Sequence, residues 1–296
     1  MLKSTKQTGA SLIELSIILL IMGAISSIFF IGTQGQLEAA KLSFTRDNVK
    51  VIETALVDFV AKNGRLPCPA NISLSTNDSQ YGLEQFNDTI NPAACNNAAQ
   101  ITDGDDVIYY GAIPVRSLNL PSNMMLDGWN NKLSYVVQRA FINNSLTNST
   151  CSSTPSTNHI SSNICLRGQA SGDNPLIHND IWIFKDLASS TFAMPKAAIY
   201  LIVSHGSNGL GGYNRSGVQN PLPDLTNQQH QLQNSAYCIT NSCSAPAGEF
   251  VISAGNTAEI ANFDDILFYK TREQLLFDCN KFYNNACIET WGVSYE

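Results

Sequence analysis

The sequence predicts an α+β fold in which a long N-terminal helix packs on an antiparallel β-sheet head. Three observations lead to this prediction: an apolar run near the start, an amphipathic helical repeat after it, and short β-branched runs between turn residues farther on. The helix is expected to have a transmembrane half and an amphipathic half. Eight cysteines are expected to link loops of the head by disulfide bonds.

The apolar run covers residues 10–33, and Glu14 is its single charged residue. At about 1.5 Å per residue, a helix of this length covers the ~30 Å hydrocarbon core of a bilayer. Lys3 and Lys6 precede the run, so the positive-inside rule predicts that everything after it faces outward. A secretory signal peptide is one alternative, but its apolar region is only about 7–15 residues long. A plain signal anchor fits the length and leaves Glu14 unexplained.

The amphipathic repeat predicts that the helix continues to residue 63. Apolar residues recur there at steps of three and four, and charged residues occupy the other faces. Asn63-Gly64 is a typical helix C-terminus. The apolar positions are Leu37, Ala40, Phe44, Val51, Ile52, Ala55, Leu56 and Phe59.

The run G-A-S-L-I-E-L, residues 9–15, resembles the prepilin cleavage motif of type IV pilins and type II secretion pseudopilins. In that family a membrane peptidase cuts after the glycine, here Gly9, and methylates the new amine, here on Ala10. The family usually has Phe after the cut, so Ala10 departs from the pattern. The family's glutamate is Glu14. The resemblance implies a leader at 1–9, a pilin-like helix at 10–63 with a transmembrane part at 10–33, and a head at 64–296.

Glu14 is the residue that we expect to control assembly. A carboxylate inside an apolar helix costs roughly 2.5–3.5 kcal/mol on insertion scales, which makes it a functional candidate. The alternative is that Glu14 lies near enough to the cytoplasmic interface to stay hydrated. Cleavage after Gly9 would create a positive amine at Ala10, which Glu14 of a neighbouring subunit can neutralise. By resemblance, this pairing sets the register of a subunit that joins the filament.

The head is expected to consist of short strands between polar loops. Two stretches are similar to pseudopilin motifs: D-G-W-N-N-K-L-S-Y at 127–135 resembles D-P-W-G-N-P-Y-x-Y, with Gly128 and Asn130 as departures, and S-H-G-S-N-G-L-G-G at 204–212 resembles the loop that follows. V-I-S-A-G-N at 251–256, with F-D-D-I at 263–266, is a competing match to that loop. The predicted strands are Val107–Ile113, Leu133–Ile142, Asp180–Phe184, Ala197–Ser204, Glu249–Ser253 and Ile266–Tyr269.

The cysteines indicate disulfides rather than zinc ligands, because no C-x-x-C pair occurs and the four histidines are scattered. All of them follow the apolar run, on the side expected to be oxidising. Sequence order favours pairing between neighbours, although connectivity cannot be deduced from sequence. The pairs are Cys68–Cys95, Cys151–Cys165, Cys238–Cys243 and Cys279–Cys287.

A calcium site is the one metal centre that the resemblance suggests, because some pseudopilins hold calcium in the last loop. Asp264 and Asp265, with Asn256 or Asn208, carry the oxygen ligands that calcium prefers. The alternative is a solvated turn, which is the more ordinary interpretation. No other cofactor is expected. The run from His205 to Gly209 lacks the first glycine of a nucleophile elbow, so it favours a glycine-rich loop.

These observations predict a pilin-like structural subunit, a minor pilin or pseudopilin of a type IV pilus or type II secretion filament, and not an enzyme. Its expected partners are a prepilin peptidase, other subunits and the inner membrane, which it would cross once with its head in the periplasm before assembly. The net charge of −7 gives no basis for nucleic-acid binding. A membrane-anchored adhesin or binding ectodomain is the alternative.

Overall fold

The structure is a computed structural model, and it describes eleven stretches of the chain. Within the first of them, the side chains of residues 24–34 are outside the description. The described stretches are residues 12–63, 65–87, 94–96, 98–103, 106–142, 181–184, 196–224, 226–241, 243, 249–252 and 263–283.

Helix α1 runs from Leu12 to Asn63 and contains 52 residues. No proline interrupts it, and its last residue closes it, because the Asn63 side-chain amide donates to the Phe59 carbonyl at 2.8 Å. Pro67 and Pro69 then exclude a helical continuation. The chain is therefore α+β, with one helix that is much longer than the other elements.

Within the described residues, no helix has a stretch that is both long enough and apolar enough to cross a membrane. The predicted fold class is therefore wrong in its transmembrane half at 10–33. The predicted location, a single-pass inner-membrane protein with a periplasmic head, is wrong for the same reason.

The main sheet is antiparallel and has five strands in the order β10-β8-β5-β4-β3. Strand β3 was not expected, because Ile101 is the single large apolar residue in its sequence. These residues form a strand because they pair with β4. Strands β5 and β8 fall within predicted runs, and β4 and β10 overlap theirs but extend one residue beyond the predicted bounds. The ranges are Ala99–Asp103 (β3), Asp106–Ala112 (β4), Ser134–Gln138 (β5), Tyr200–Ser204 (β8) and Ile266–Lys270 (β10).

Smaller elements surround this sheet. One three-stranded sheet has the order β7-β6-β9, and a two-stranded pair joins β1 to β2. The strand ranges are Phe86–Asn87 (β1), Ala94–Cys95 (β2), Ile181–Phe184 (β6), Lys196–Ala198 (β7) and Glu249–Val251 (β9). The later helices are Gln229–Gln233 (α2), Tyr237–Thr240 (α3) and Arg272–Tyr283 (α4), and short 3-10 turns occupy Ser122–Met125 and Arg139–Phe141.

The main sheet has a packed core on each face, because its side chains alternate between the two. Tyr109 and Val137 face the second half of α1, where Ile52 and Leu56 are fully buried. Tyr110, Val136 and Val203 face the smaller sheet and meet Ile183 and Phe250. The sheet therefore forms the central layer of the head, with α1 on one side.

Two of the predicted disulfides are confirmed. Cys68 pairs with Cys95 and Cys238 pairs with Cys243, with Cα–Cα distances of 5.6 and 5.5 Å. Cys279 is also disulfide-bonded. The remaining predicted disulfide cysteines, Cys151, Cys165 and Cys287, lie outside the described residues.

Candidate functional site

The first turns of α1 form an exposed apolar surface. Nine large apolar side chains between Leu12 and Met22 are exposed, with exposed fractions as high as 90% at Leu12 and 74% at Leu20. The same helix buries Ile52 and Leu56 completely where the head covers it. We call residues 12–22 the apolar end of α1. Its side chains are Leu12, Ile13, Leu15, Ile17, Ile18, Leu19, Leu20, Ile21 and Met22.

Glu14 lies within the apolar end and its side chain is exposed to solvent. The helix therefore carries one carboxylate among side chains that favour removal from water. The other two residues of the predicted processing motif, Gly9 and Ala10, lie outside the described residues. Their expected roles stay predictions.

A second apolar feature lies farther along α1. Leu37, Phe44 and Val51 are 57%, 46% and 42% exposed, and they follow one another at intervals of seven residues. Residues at this spacing lie along one side of a helix, as in helices that pack against a partner helix. The ion pair between Asp47 and Lys50, 3.2 Å apart, lies beside this stripe. We call these three residues the heptad stripe.

The head meets the middle of α1 through the turn at residues 126–129. The Gly128 amide donates to Thr45 Oγ1 at 2.9 Å, and Asn48 Nδ2 donates to the Leu126 carbonyl at 3.2 Å. A Cβ at Gly128 would lie 2.3 Å from the Lys41 carbonyl oxygen, so only glycine allows this approach.

The neighbouring tryptophan adds a contact nearer the start of the helix. Trp129 Nε1 donates to Glu38 Oε2 at 2.7 Å, and Lys41 contacts Glu38 Oε1 at 2.9 Å. The hydrogen bond from Lys41 and then that from Trp129 lower the pKa of Glu38. Trp129 and Gly128 therefore mark where the head begins to cover α1.

A buried carboxylate organises the same turn. Asp127 Oδ1 accepts hydrogen bonds from the backbone amides of Trp129 and Asn131, both at 2.9 Å, and Oδ2 accepts one from Ser204 Oγ at 2.7 Å. Burial raises the pKa of Asp127, although the hydrogen bond from Ser204 acts in the opposite direction. Asn130 has a φ of 69°, a left-handed conformation that asparagine tolerates well. The similar pseudopilin stretch has glycine at this position.

His205 forms the centre of a polar cluster between the sheet and the segment before β10. Its Nε2 lies 3.2 Å from Ser134 Oγ and 3.3 Å from the Tyr110 hydroxyl, which itself donates to Ser134 Oγ at 2.7 Å. Its Nδ1 lies 3.4 Å from Asp265 Oδ1, although neither atom makes a hydrogen bond with acceptable geometry. We therefore treat this contact as electrostatic. Burial raises the pKa of Tyr110.

The contacts run from Ser134 to His205 and from His205 to Asp265, as in a Ser-His-Asp catalytic triad. Ser134 and His205 have no exposed surface, however, and Asp265 is only 6% exposed. A substrate has no direct access to Ser134 Oγ in this arrangement. The cluster therefore connects β5, β8 and the start of β10. Sequence reasoning missed it because the three residues are far apart in the chain and Ser134 occupies the unspecified position of the stretch at 127–135.

Asp264 and Asp265 lie together but contact different groups. Asp264 accepts hydrogen bonds from Ser207 Oγ, the Asn208 amide and Gln231 Nε2 at 2.9, 2.7 and 3.0 Å. Burial raises the pKa of Asp264, and the Asn208 amide acts to lower it. Asp265 Oδ2 accepts from Asn234 Nδ2 at 3.0 Å.

The donors around these carboxylates differ from the surroundings that calcium prefers, which are six to eight oxygen ligands. Among the residues that the structure describes, no group of three or more His, Cys, Asp or Glu side chains is arranged to hold a metal ion. Asn256, the third predicted ligand, lies outside the described ranges. A calcium site at Asp264 and Asp265 therefore stays a prediction.

The stretches that resemble pseudopilin motifs meet in space. Asn131 Nδ2 donates to the Gly206 carbonyl at 3.2 Å, which joins the first stretch to the second. A Cβ at Gly206 would lie 2.3 Å from the Asp264 carbonyl oxygen, so the second stretch also touches the third. Both competing matches thus contribute to one cluster. Comparisons with models of protein families, with curated proteins and with solved structures found no match.

Proposed function

We propose that this chain is a pilin-like structural subunit, a minor pilin or pseudopilin of a type IV pilus or type II secretion filament, which assembles through α1. The observation that carries the proposal is the apolar end of α1, whose large side chains are exposed on a helix held by a packed head. Apolar patches of this kind mark interaction surfaces.

The partner that best matches the apolar end is the same segment of another copy. Burial of apolar surface contributes about 25 cal/mol per Å², so nine large side chains offer substantial free energy on association. Each copy presents apolar side chains around the whole circumference of the helix, so it can contact more than one neighbour. Head-to-tail contacts that do not close produce a helical filament.

Glu14 makes such packing selective. When neighbouring helices cover the apolar end, this carboxylate loses water, and an unpaired buried charge is strongly unfavourable. A peptidase that cuts after Gly9 would supply a positive amine on Ala10 of the neighbour. We therefore include a prepilin peptidase and other pilin-like subunits among the proposed partners.

The heptad stripe extends this interface toward the head. Phe44 and Val51 are exposed on the part of α1 that the head supports, so contacts with a neighbour can continue past the apolar end. The seven-residue spacing suits a partner helix that crosses at a shallow angle. This supports packing of α1 along a neighbouring α1.

Processing is tested by mass spectrometry of the N-terminal peptide after co-expression of the full chain with a prepilin peptidase. We expect a chain that begins at Ala10, with or without a methyl group. An intact Met1 would contradict processing. Omission of the peptidase is the control, because it should leave the leader in place.

Assembly is tested by cross-linking of an Ile18→Cys variant of the processed chain, followed by separation of sheared filaments. We expect a ladder of oligomers that Glu14→Ala and Glu14→Gln both abolish. Asp78→Asn is the control, because it neutralises an exposed carboxylate that lies outside α1. Monomers alone in the parent variant, or equal ladders in the Glu14 variants, would contradict the proposal.

A further inference from the structure

Four polar groups from four elements meet where α1 and α4 pack against the main sheet. Glu53 of α1 and Asp278 of α4 are both close to Lys270 at the end of β10. Tyr200 lies directly opposite Lys270 in the β8–β10 register. Each of the three charged side chains is about a quarter exposed or less, so they interact through partly desolvated surroundings.

The cluster has one positive and two negative groups. Lys270 Nζ lies 2.8 Å from Asp278 Oδ2 and donates a hydrogen bond to it, whereas Glu53 Oε2 is 3.8 Å away. One ammonium therefore pairs closely with one carboxylate, and the charge of Glu53 is left in excess. Because Glu53 and Asp278 belong to different helices, this excess charge acts against the contact between α1 and α4.

The hydroxyl of Tyr200 is the fourth group. Tyr200 is fully buried, and its hydroxyl has no hydrogen-bond partner among the described residues. Burial raises its pKa, and the negative charges of Glu53 and then Asp278 raise it further. A phenol that is close to these charges and lacks a partner is available to hydrogen-bond a neighbouring carboxyl.

We propose that Glu53, Lys270, Asp278 and Tyr200 form a protonation-dependent latch that holds α4 more tightly against α1 when Glu53 carries a proton. Protonation removes the excess negative charge and leaves the pair of Lys270 and Asp278 intact. The protonated carboxyl of Glu53 can then donate a hydrogen bond to the Tyr200 hydroxyl oxygen, which an ionised carboxylate cannot do. This inference does not depend on the proposed filament.

The directions of the pKa shifts agree with this latch. Burial raises the pKa of Glu53, the attraction of Lys270 acts to lower it, and the charge of Asp278 adds to the rise. Burial acts to lower the pKa of Lys270, but the Asp278 hydrogen bond and Glu53 raise it on balance. A carboxyl whose folded-state pKa is raised stabilises the folded state less as pH rises through its titration range. The attachment of α4 should therefore strengthen on mild acidification.

The test is hydrogen exchange of α4 amides in the full chain with disulfides intact, between about pH 4 and pH 7, corrected for the intrinsic rate. We expect slower corrected exchange at the acidic end. Glu53→Gln, which mimics the protonated group, should slow exchange at neutral pH to the corrected rate that the parent chain shows at the acidic end. It should also remove the pH dependence.

Two further variants complete the test. Asp47→Asn, on an exposed face of the same helix, should retain the pH dependence of the parent chain. Tyr200→Phe should reduce the protection gained in acid, because it removes the hydroxyl and leaves the ring. Corrected α4 exchange that is independent of pH in the parent chain, or unchanged by Glu53→Gln, would overturn the latch.

Discussion

The two ends of α1 carry similar side chains in opposite surroundings. From Leu12 to Met22 the large apolar residues are exposed, whereas Val49, Ile52 and Leu56 are buried against the main sheet. Both are helical and both are rich in leucine and isoleucine or valine. The apolar composition of a segment of α1 therefore does not determine whether the head covers it. The covered end stabilises the head, and the uncovered end is available to a partner.

The largest effect should come from paired truncations in these two ends. Leu56→Ala removes a fully buried side chain, so we expect a loss of about 2–5 kcal/mol in the free energy of unfolding. Leu19→Ala, at a position 61% exposed, should change the stability of the monomer by less than about 0.5 kcal/mol. Chemical denaturation measures both. Equal losses would show that the apolar end is also covered within one chain.

The next effect concerns a buried lysine in the head and the dependence of stability on pH. Lys132 is fully buried, and its Nζ donates to the carbonyls of Ile72 and Leu74 at 2.7 and 2.5 Å. Burial lowers its pKa to about 8. Because the unfolded chain still binds this proton up to about pH 10, stability should rise with pH between about 8 and 10, by up to ~3 kcal/mol.

The control for this slope is Lys132→Met, which removes the titrating group. Denaturation at several pH values should show that the difference in stability between the parent chain and the variant changes across this window. A difference that is constant with pH would mean that Lys132 keeps an ordinary pKa. Its role would then be limited to the two carbonyl hydrogen bonds.

A smaller effect should appear at the boundary between the two ends. Gly128→Ala places a Cβ 2.3 Å from the Lys41 carbonyl oxygen, so the turn must move away from α1. Overpacking of this kind costs about 1–3 kcal/mol. Gly35→Ala is the matched control, because no atom lies within 4 Å of its added Cβ and alanine favours the helix by up to about 1 kcal/mol. The midpoint of thermal unfolding should therefore fall in Gly128→Ala and rise in Gly35→Ala.

The smallest effect concerns one hydrogen bond at the same boundary. Trp129→Phe removes the donor to Glu38 and keeps an aromatic ring, so we expect a loss of about 0.5–1.5 kcal/mol in the free energy of unfolding. The effect should be reduced in a Glu38→Gln background, because the bond to a charged acceptor is the stronger one. Full additivity of the two substitutions would show that the groups do not interact.

Several strands and two disulfides could be predicted because their signals are local. Short β-branched runs between turn residues identified β5 and β10, and cysteine order identified Cys68–Cys95 and Cys238–Cys243. Strand β3 could not be predicted, since its residues favour a strand only through their pairing with β4. The transmembrane half was wrong, because no helix among the described residues has a stretch that is long and apolar enough to cross a membrane.

The sequence was sufficient to predict α1 beyond residue 33, several strands and the motif-like stretches at 127–135 and 204–212, and it favoured the pairing of neighbouring cysteines. Only the tertiary structure decided that these stretches meet at His205 and Asp265, that Gly128 contacts α1, and that Glu53 shares Lys270 with Asp278. The physical reason is that propensity and turn chemistry act between neighbours in the chain, whereas burial and charge pairing depend on residues that only folding brings together.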